Sequence, residues 1–120
     1  MSQKILVVDD EEQVRTVVGE VLRSLGYEVL VADDGVEALE VVEKTPNLDL
    51  VLTDVVMPNM GGFEMVNELQ TQRPEIEVIF MSGYAGDEEL VAQVSDGKAR
   101  FLAKPFAPGD LERKVQIALL

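Results

Sequence analysis

Apolar residues occur along this chain in short blocks that alternate with periodic stripes. Residues 5–8, Ile-Leu-Val-Val, form a compact run of the length of a short buried strand. Val14, Val17, Val18, Val21, Leu22 and Leu25 then recur at the spacing of one face of an amphipathic helix, and Gly26 stands where a helix-ending glycine belongs. Residues 27–32 predict a second strand. Asp33-Asp34-Gly35 breaks it and offers an aspartate to cap a helix marked by Val36, Leu39 and Val42, which stops before Pro46. Residues 48–56 are the most apolar stretch and predict a central strand, buried on both faces and ending near Thr53. After the turn-rich 57–62 loop, Phe63, Val66 and Leu69 mark a third helix that runs to Pro74. A fourth strand follows at 76–81, then the loop 82–86. Leu90, Val91 and Val94 predict a short fourth helix that Ser95-Asp96-Gly97 cuts off. Residues 100–103 are a fifth strand. Pro108 suits the first turn of a last helix, with Leu111, Val115, Ala118 and Leu119 as its stripe.

Five strands, each followed by a helix, predict an α/β fold with a parallel sheet and helices on both faces, a doubly wound arrangement. The 120 residues suffice for one domain, and no repeat, low-complexity tract or linker divides 1–120.

Charge narrows the chemistry. With 23 acids against 10 bases, the formal net charge is -13. Such a surface repels nucleic-acid backbones and anionic membranes and suits a divalent cation or a basic protein patch. The chain has no cysteine and no histidine. Thiol chemistry, thiolate metal sites and the commonest general base are therefore excluded, and any metal must be held by oxygen, which selects Mg²⁺, Mn²⁺ or Ca²⁺. No long apolar stretch follows a basic start and no apolar run nears the roughly 20 residues of a membrane span, so a cytoplasmic location is expected.

The acids have a pattern of their own. In an open parallel sheet, ligands bind beyond the carboxyl ends of the strands. Asp9 and Asp10 follow the first predicted strand, Asp54 the third, Ser82 the fourth and Lys104 the fifth. Each alone has an ordinary reading: a helix cap, a loop acid, a turn serine, a solvated lysine. Those readings do not explain why Asp54 directly follows Leu-Val-Leu-Thr, where burial without a partner is costly. Nor do they explain why a lysine shares an edge with three acids. Three carboxylates are enough for an oxygen-ligated cation, which would neutralise the repulsion among them. Phosphoryl transfer to an aspartate needs such a metal, a nucleophile, and a cation and a hydroxyl for the remaining oxygens, which Lys104 and Ser82 can supply.

The segments ILVVDDEE, LVLTDVVMPNMGG, FMSGYA and FLAKPF stand in the order and spacing that resemble the receiver domain of two-component response regulators, of the chemotaxis-regulator type, over the full length of the chain. The resemblance implies a flavodoxin-like (βα)5 fold with strand order 2-1-3-4-5. It implies that Asp54 is the phosphoacceptor, that Asp10 ligates Mg²⁺ directly and Asp9 partly through water, and that the Val56 backbone carbonyl completes the protein ligands. Ser82 matches the switch hydroxyl, Phe101 the switch aromatic, and Lys104, before a cis Pro105, the phosphate-contacting lysine. Val56 and Tyr84 match the positions flanking the phosphoryl group, where they bear on its lifetime. The donor implied is a sensor histidine kinase or a histidine phosphotransfer protein, with output through a partner or an attached module, and with the chain a monomer or weak homodimer. MSGY followed by FLAKPF resembles receivers attached to hybrid histidine kinases. Two departures stand out: VSDGKARF lacks the small-residue pattern common before the fifth strand, and Ala107 is a poor helix cap.

Other functions fit less well. A phosphatase with an aspartyl-phosphate intermediate would place an acid at Val56. A receiver that had lost phosphorylation would lack an acid or the lysine. A flavin module would not carry Asp-Asp-Glu-Glu where a phosphate must bind.

Overall fold

A computed structural model describes residues 2–84 and 86–120. Of the 82–86 loop, Ala85 lies outside the described residues. Ten elements alternate strictly: β1 (Lys4–Val8), α1 (Glu12–Ser24), β2 (Glu28–Ala32), α2 (Gly35–Lys44), β3 (Leu50–Asp54), α3 (Gly62–Gln72), β4 (Glu77–Ser82), α4 (Asp87–Val94), β5 (Arg100–Ala103) and α5 (Pro108–Ala118). All strand pairs are parallel, in the order β2-β1-β3-β4-β5. The topology and the central place of β3 agree with the hydrophobic pattern and with the order that the resemblance implies.

The inner strands β1, β3 and β4 are buried on both faces, and alternate residues feed two cores. Leu6, Val8, Val51, Val78 and Phe80 pack against Ala38 and Val42 of α2, Met65, Val66 and Leu69 of α3, and Val91 of α4. Ile5, Val7, Leu50, Leu52, Ile79 and Met81 pack on the other face against Val18 and Leu22 of α1 and Leu111, Val115 and Ala118 of α5. Period-2 alternation thus serves two helical layers.

The helix ends explain themselves locally. Gly26, at φ +97°, ends α1: its N–H donates to Arg23 O and that of Tyr27 to Leu22 O, the paired bonds of a left-handed glycine stop. Asp34 caps α2 by accepting from the Glu37 N–H at 2.9 Å. Its other oxygen accepts from Asn59 Nδ2 at 2.7 Å, and the Gly35 N–H donates to Met60 O at 3.0 Å, so the start of α2 is tied to the loop after β3. At the far end, Arg73 donates to the Pro46 carbonyl at 2.6 Å and to those of Val42 and Thr45 at 3.4 Å. Helices α2 and α3 are therefore fastened at both ends. Ala107 offers α5 no side-chain cap; instead Asp110 accepts from the Ala107 N–H at 3.1 Å behind Pro108.

Three stripes are narrower than the periodicity predicts. Val17 of α1, Leu25 just past its end, and Val36 of α2 are exposed. In α4 only Val91 is buried, while Leu90 and Val94 face solvent. An apolar residue on a helix need not face the sheet. Val17 instead lines an apolar groove of about 600 Å³ between α1 and Pro105-Phe106.

Candidate functional site

Winding reverses between β1 and β3: the chain leaves β1 toward β2 and leaves β3 toward β4. Connections that part in opposite directions open a crevice above the two carboxyl ends. The register sets Val8 beside Thr53, so the next residues, Asp9 and Asp54, flank that crevice at one level.

Asp9 is 0% exposed, yet both its oxygens are occupied. Oδ1 accepts from the Glu11 N–H at 2.9 Å, and Oδ2 meets Lys104 Nζ at 2.8 Å. Neither Asp9 nor Asp10 caps α1 by a side-chain bond; the residue before that helix is Glu11, with no side-chain cap bond. Arg15, one turn into α1, donates to the Asp9 carbonyl at 2.7 Å and fixes the turn from below. Asp10 is exposed. Asp54 is largely buried; its Oδ1 accepts from the Val55 N–H at 2.9 Å and lies 3.5 Å from Lys104 Nζ. One carboxylate oxygen from each of Asp9, Asp10 and Asp54 falls in a group within 4.8 Å.

Electrostatics follow from this crowding. Burial raises the Asp54 carboxyl above the usual aspartate range; Lys104 pulls it down and Asp9 pushes it further up. For Lys104, burial is the largest single influence and opposes the charge. The Asp9 hydrogen bond and the charges of Asp9 and Asp54 together outweigh it, so the ammonium is held more firmly than usual. The positive charge that the adjacent acids call for is thus already present in part, as the Lys104 ammonium between two of them.

The donor set fits a hard divalent ion. It is all oxygen, is drawn from three acids, and has Asp10 open to solvent where coordinated water would sit. Carboxylates grouped this closely repel unless a cation lies among them, and a single ammonium offsets only part of three charges.

The other residues singled out in the sequence are near but not all joined. Ser82 ends β4 and is buried, and its carbonyl accepts from the Lys104 N–H at 2.8 Å. Its hydroxyl points elsewhere, donating to the Asp87 carboxylate in the first turn of α4 and accepting from the Tyr84 N–H at 3.2 Å. Phe101 pairs with Phe80 across the β4–β5 register and is half-buried against the α2–α4 core. Val56 and Tyr84 are 62% and 69% exposed. The Lys104-Pro105 bond is cis, as the resemblance implies.

Three residues that shape the site carry no signal in the hydrophobic pattern. Arg15 reads as a surface helix arginine and Asp87 as an ordinary first-turn acid. Gly62 reads as one more loop glycine, but a Cβ there would lie 2.2 Å from the Asp54 carbonyl oxygen, so the start of α3 rides on the backbone of the acid itself. Its place eight residues after Asp54, at the end of a Gly-Gly pair, was the available clue.

Comparison with known proteins agrees with this arrangement. A family model described as the response regulator receiver domain matches residues 5–116. The sensor kinase CckA of Brucella abortus is 42% identical over 116 residues, which cover 96% of this chain but 12% of that protein. The chemotaxis protein CheY1 of Helicobacter pylori is 34% identical over 119 residues, covering 97% of this chain and 96% of that one. The chain spans about half the length of the alkaline phosphatase synthesis regulator PhoP of Bacillus subtilis, to which it is 34% identical (49% of that protein is covered). Among solved structures, the chemotaxis protein CheY4 of Vibrio cholerae superposes with a TM-score of 0.89 at 33% identity, covering 99% of this chain and 100% of that one.

Proposed function

The chain belongs to the response regulator receiver domain family of two-component systems, and on that premise we propose that Asp54 accepts a phosphoryl group in a Mg²⁺-dependent reaction. The donor class is a phosphohistidine on a sensor kinase or a histidine phosphotransfer protein. An Asp54 carboxylate oxygen attacks phosphorus, the P–O bond forms as the P–N bond breaks, and the imidazole leaves with a proton from solvent. Mn²⁺ can replace Mg²⁺ in such an oxygen site.

The observation that carries the reading is the Lys104 ammonium held 2.8 Å from Asp9 and 3.5 Å from Asp54. A partly buried cation beside a nucleophilic carboxylate binds a phosphoryl oxygen and lowers the repulsion that an incoming anion meets. The Val55 N–H orients Asp54 through Oδ1, which leaves Oδ2 for bond formation. Asp9, Asp10 and Asp54 would hold the metal together with the Val56 carbonyl, and the ion would neutralise charge on the transferring oxygens. The Ser82 hydroxyl would turn to the phosphoryl group, with Phe101 moving inward behind it. Output then passes to a partner or an attached module.

The test is intact mass after incubation with acetyl phosphate, with and without Mg²⁺. A single phosphoryl adduct should form only with metal and should vanish in Asp54→Ala. An adduct at full stoichiometry in that variant would place the acceptor elsewhere.

A further inference from the structure

We propose that Asp87 is a positioning residue that holds the Ser82 hydroxyl away from Asp54 in the resting state and competes with the phosphoryl group for the same proton. The inference rests on the phosphoacceptor reading of Asp54 and adds to it a residue outside the acidic site.

A serine has one O–H to give. Here that proton goes to the Asp87 carboxylate, while Ser82 Oγ accepts from the Tyr84 N–H at 3.2 Å. The Ser82 backbone cannot follow its side chain, because it is locked in the β4–β5 pairing and its carbonyl holds the Lys104 N–H at 2.8 Å. Only rotation of the side chain can bring the hydroxyl to Asp54. That rotation breaks the bond to Asp87, since one proton cannot serve two acceptors.

Asp87 is also where α4 starts. The residue before it, Gly86, has φ +98° and gives no side-chain cap, and Val91 is the one buried residue of the helix. A helix so thinly packed depends on its few polar ties. The Ser82–Asp87 bond joins its first residue to the last residue of β4, and it is a charge-assisted bond, of the stronger kind. The phosphoryl group at Asp54 and the tie at α4 therefore exclude each other. By linkage, the tie weakens binding of the phosphoryl group by the same factor as that group weakens the tie. The simpler alternative is that Asp87 is an acid at a helix N-terminus, favoured by the dipole alone. That role would make no reference to Ser82.

Beryllofluoride, a phosphoryl mimic, separates the two. Its affinity in Mg²⁺ is measured for the wild type, Asp87→Ala, Ser82→Ala and the double variant, with Glu88→Gln as a control for lost charge in the same turn. Asp87→Ala should bind about tenfold more tightly, the order expected for release of one charge-assisted hydrogen bond. The gain should shrink to within about twofold in the Ser82→Ala background and in Glu88→Gln, because a remote screened charge acts weakly. A tenfold gain that persists without Ser82, or that Glu88→Gln reproduces, overturns the proposal. So does an unchanged affinity in Asp87→Ala. Urea unfolding of the same four proteins without metal reads the tie independently of phosphoryl chemistry: the two substitutions should be non-additive, and strict additivity would show that the bond contributes nothing. A wild-type chain that binds no beryllofluoride overturns the phosphoacceptor reading and this competition with it. One that binds, with an Asp87 effect indifferent to Ser82, overturns the competition alone.

Discussion

Asp9 and Asp10 are adjacent and chemically alike, yet one is fully enclosed between Glu11 and Lys104 and the other stands in solvent. The difference comes from the last pleat of β1 and is invisible in the pair of letters. What could be read was that acids from distant segments meet at one edge; which of them would be paired was not legible, because the partner is 95 residues away. The crowding has a consequence for stability. The Asp54 carboxyl is raised mainly by burial, so its ionised form is worse off folded than unfolded. Its contribution to stability falls as pH rises from the ordinary aspartate value through the raised folded one, and it stays unfavourable at neutral pH. Asp54→Asn should therefore be more stable than wild type without metal by about 1 kcal/mol, as seen in urea melts in EDTA at pH 7, with the gain fading in acid. A loss of stability would mean that the acid is a structural partner of Lys104 first. On the proposed reading of Asp54, Val56 and Tyr84 would bear on a different quantity, the lifetime of the phosphoryl group. Both are exposed near the site, and neither offers a group that positions a water close to phosphorus. The phosphorylated variant with Val56→Asn and Tyr84→Glu should decay faster than wild type once the donor is removed, at constant Mg²⁺ and pH. An equal or slower decay would remove both positions from control of the lifetime.

At the level of elements, β1 and β5 follow from their apolar runs to within a residue, whereas β3 (Leu50–Asp54) is shorter than the apolar stretch 48–56 that marks it. The buried stripes of α1, α2 and α4 are narrower than the periodicity predicts, because a periodic valine marks an apolar face but not what covers it. Val17 lines a groove, and Leu90 and Val94 are exposed. The start of α3 shows the opposite failure, since a glycine without apparent purpose proves tightly constrained. A methyl group at Gly62 would meet the Asp54 carbonyl oxygen at 2.2 Å, and its nearest neighbours are all backbone atoms, with no side chain free to give way. Gly62→Ala should cost about 1–3 kcal/mol, the range for overpacking. It should also slow phosphorylation by acetyl phosphate, because relief can come only by moving Asp54 or the helix. Thermal melts and the rate of adduct formation check the two effects. A stable, fully active variant would mean that the loop absorbs the clash elsewhere.

For the whole molecule, the order of the sheet and its two cores were legible because each strand-helix unit carries its own signal and parallel crossovers leave few topologies. The orientation of the Ser82 hydroxyl was not legible, since it depends on a helix start that the pattern reads only weakly. If phosphorylation frees that start, the change should spread through α4, β5 and α5. Amide NMR shifts on adding beryllofluoride should extend across roughly residues 86–119. Shifts confined to the loops around Asp54 would refute that route.

The fastening of α2 to α3 has a further meaning. The Asn59–Asp34 and Gly35–Met60 bonds at one end and Arg73 at the other leave that side of the molecule little room to yield, whereas among the described residues α4 buries only Val91 and has its start tied to the Ser82 hydroxyl. A protein that must stay attached whatever the phosphorylation state would find the same shape on the α2–α3 side before and after the reaction. One that must tell the two states apart has to read the α4 side. A single small domain can thus present a constant address on one flank and a changeable message on the other.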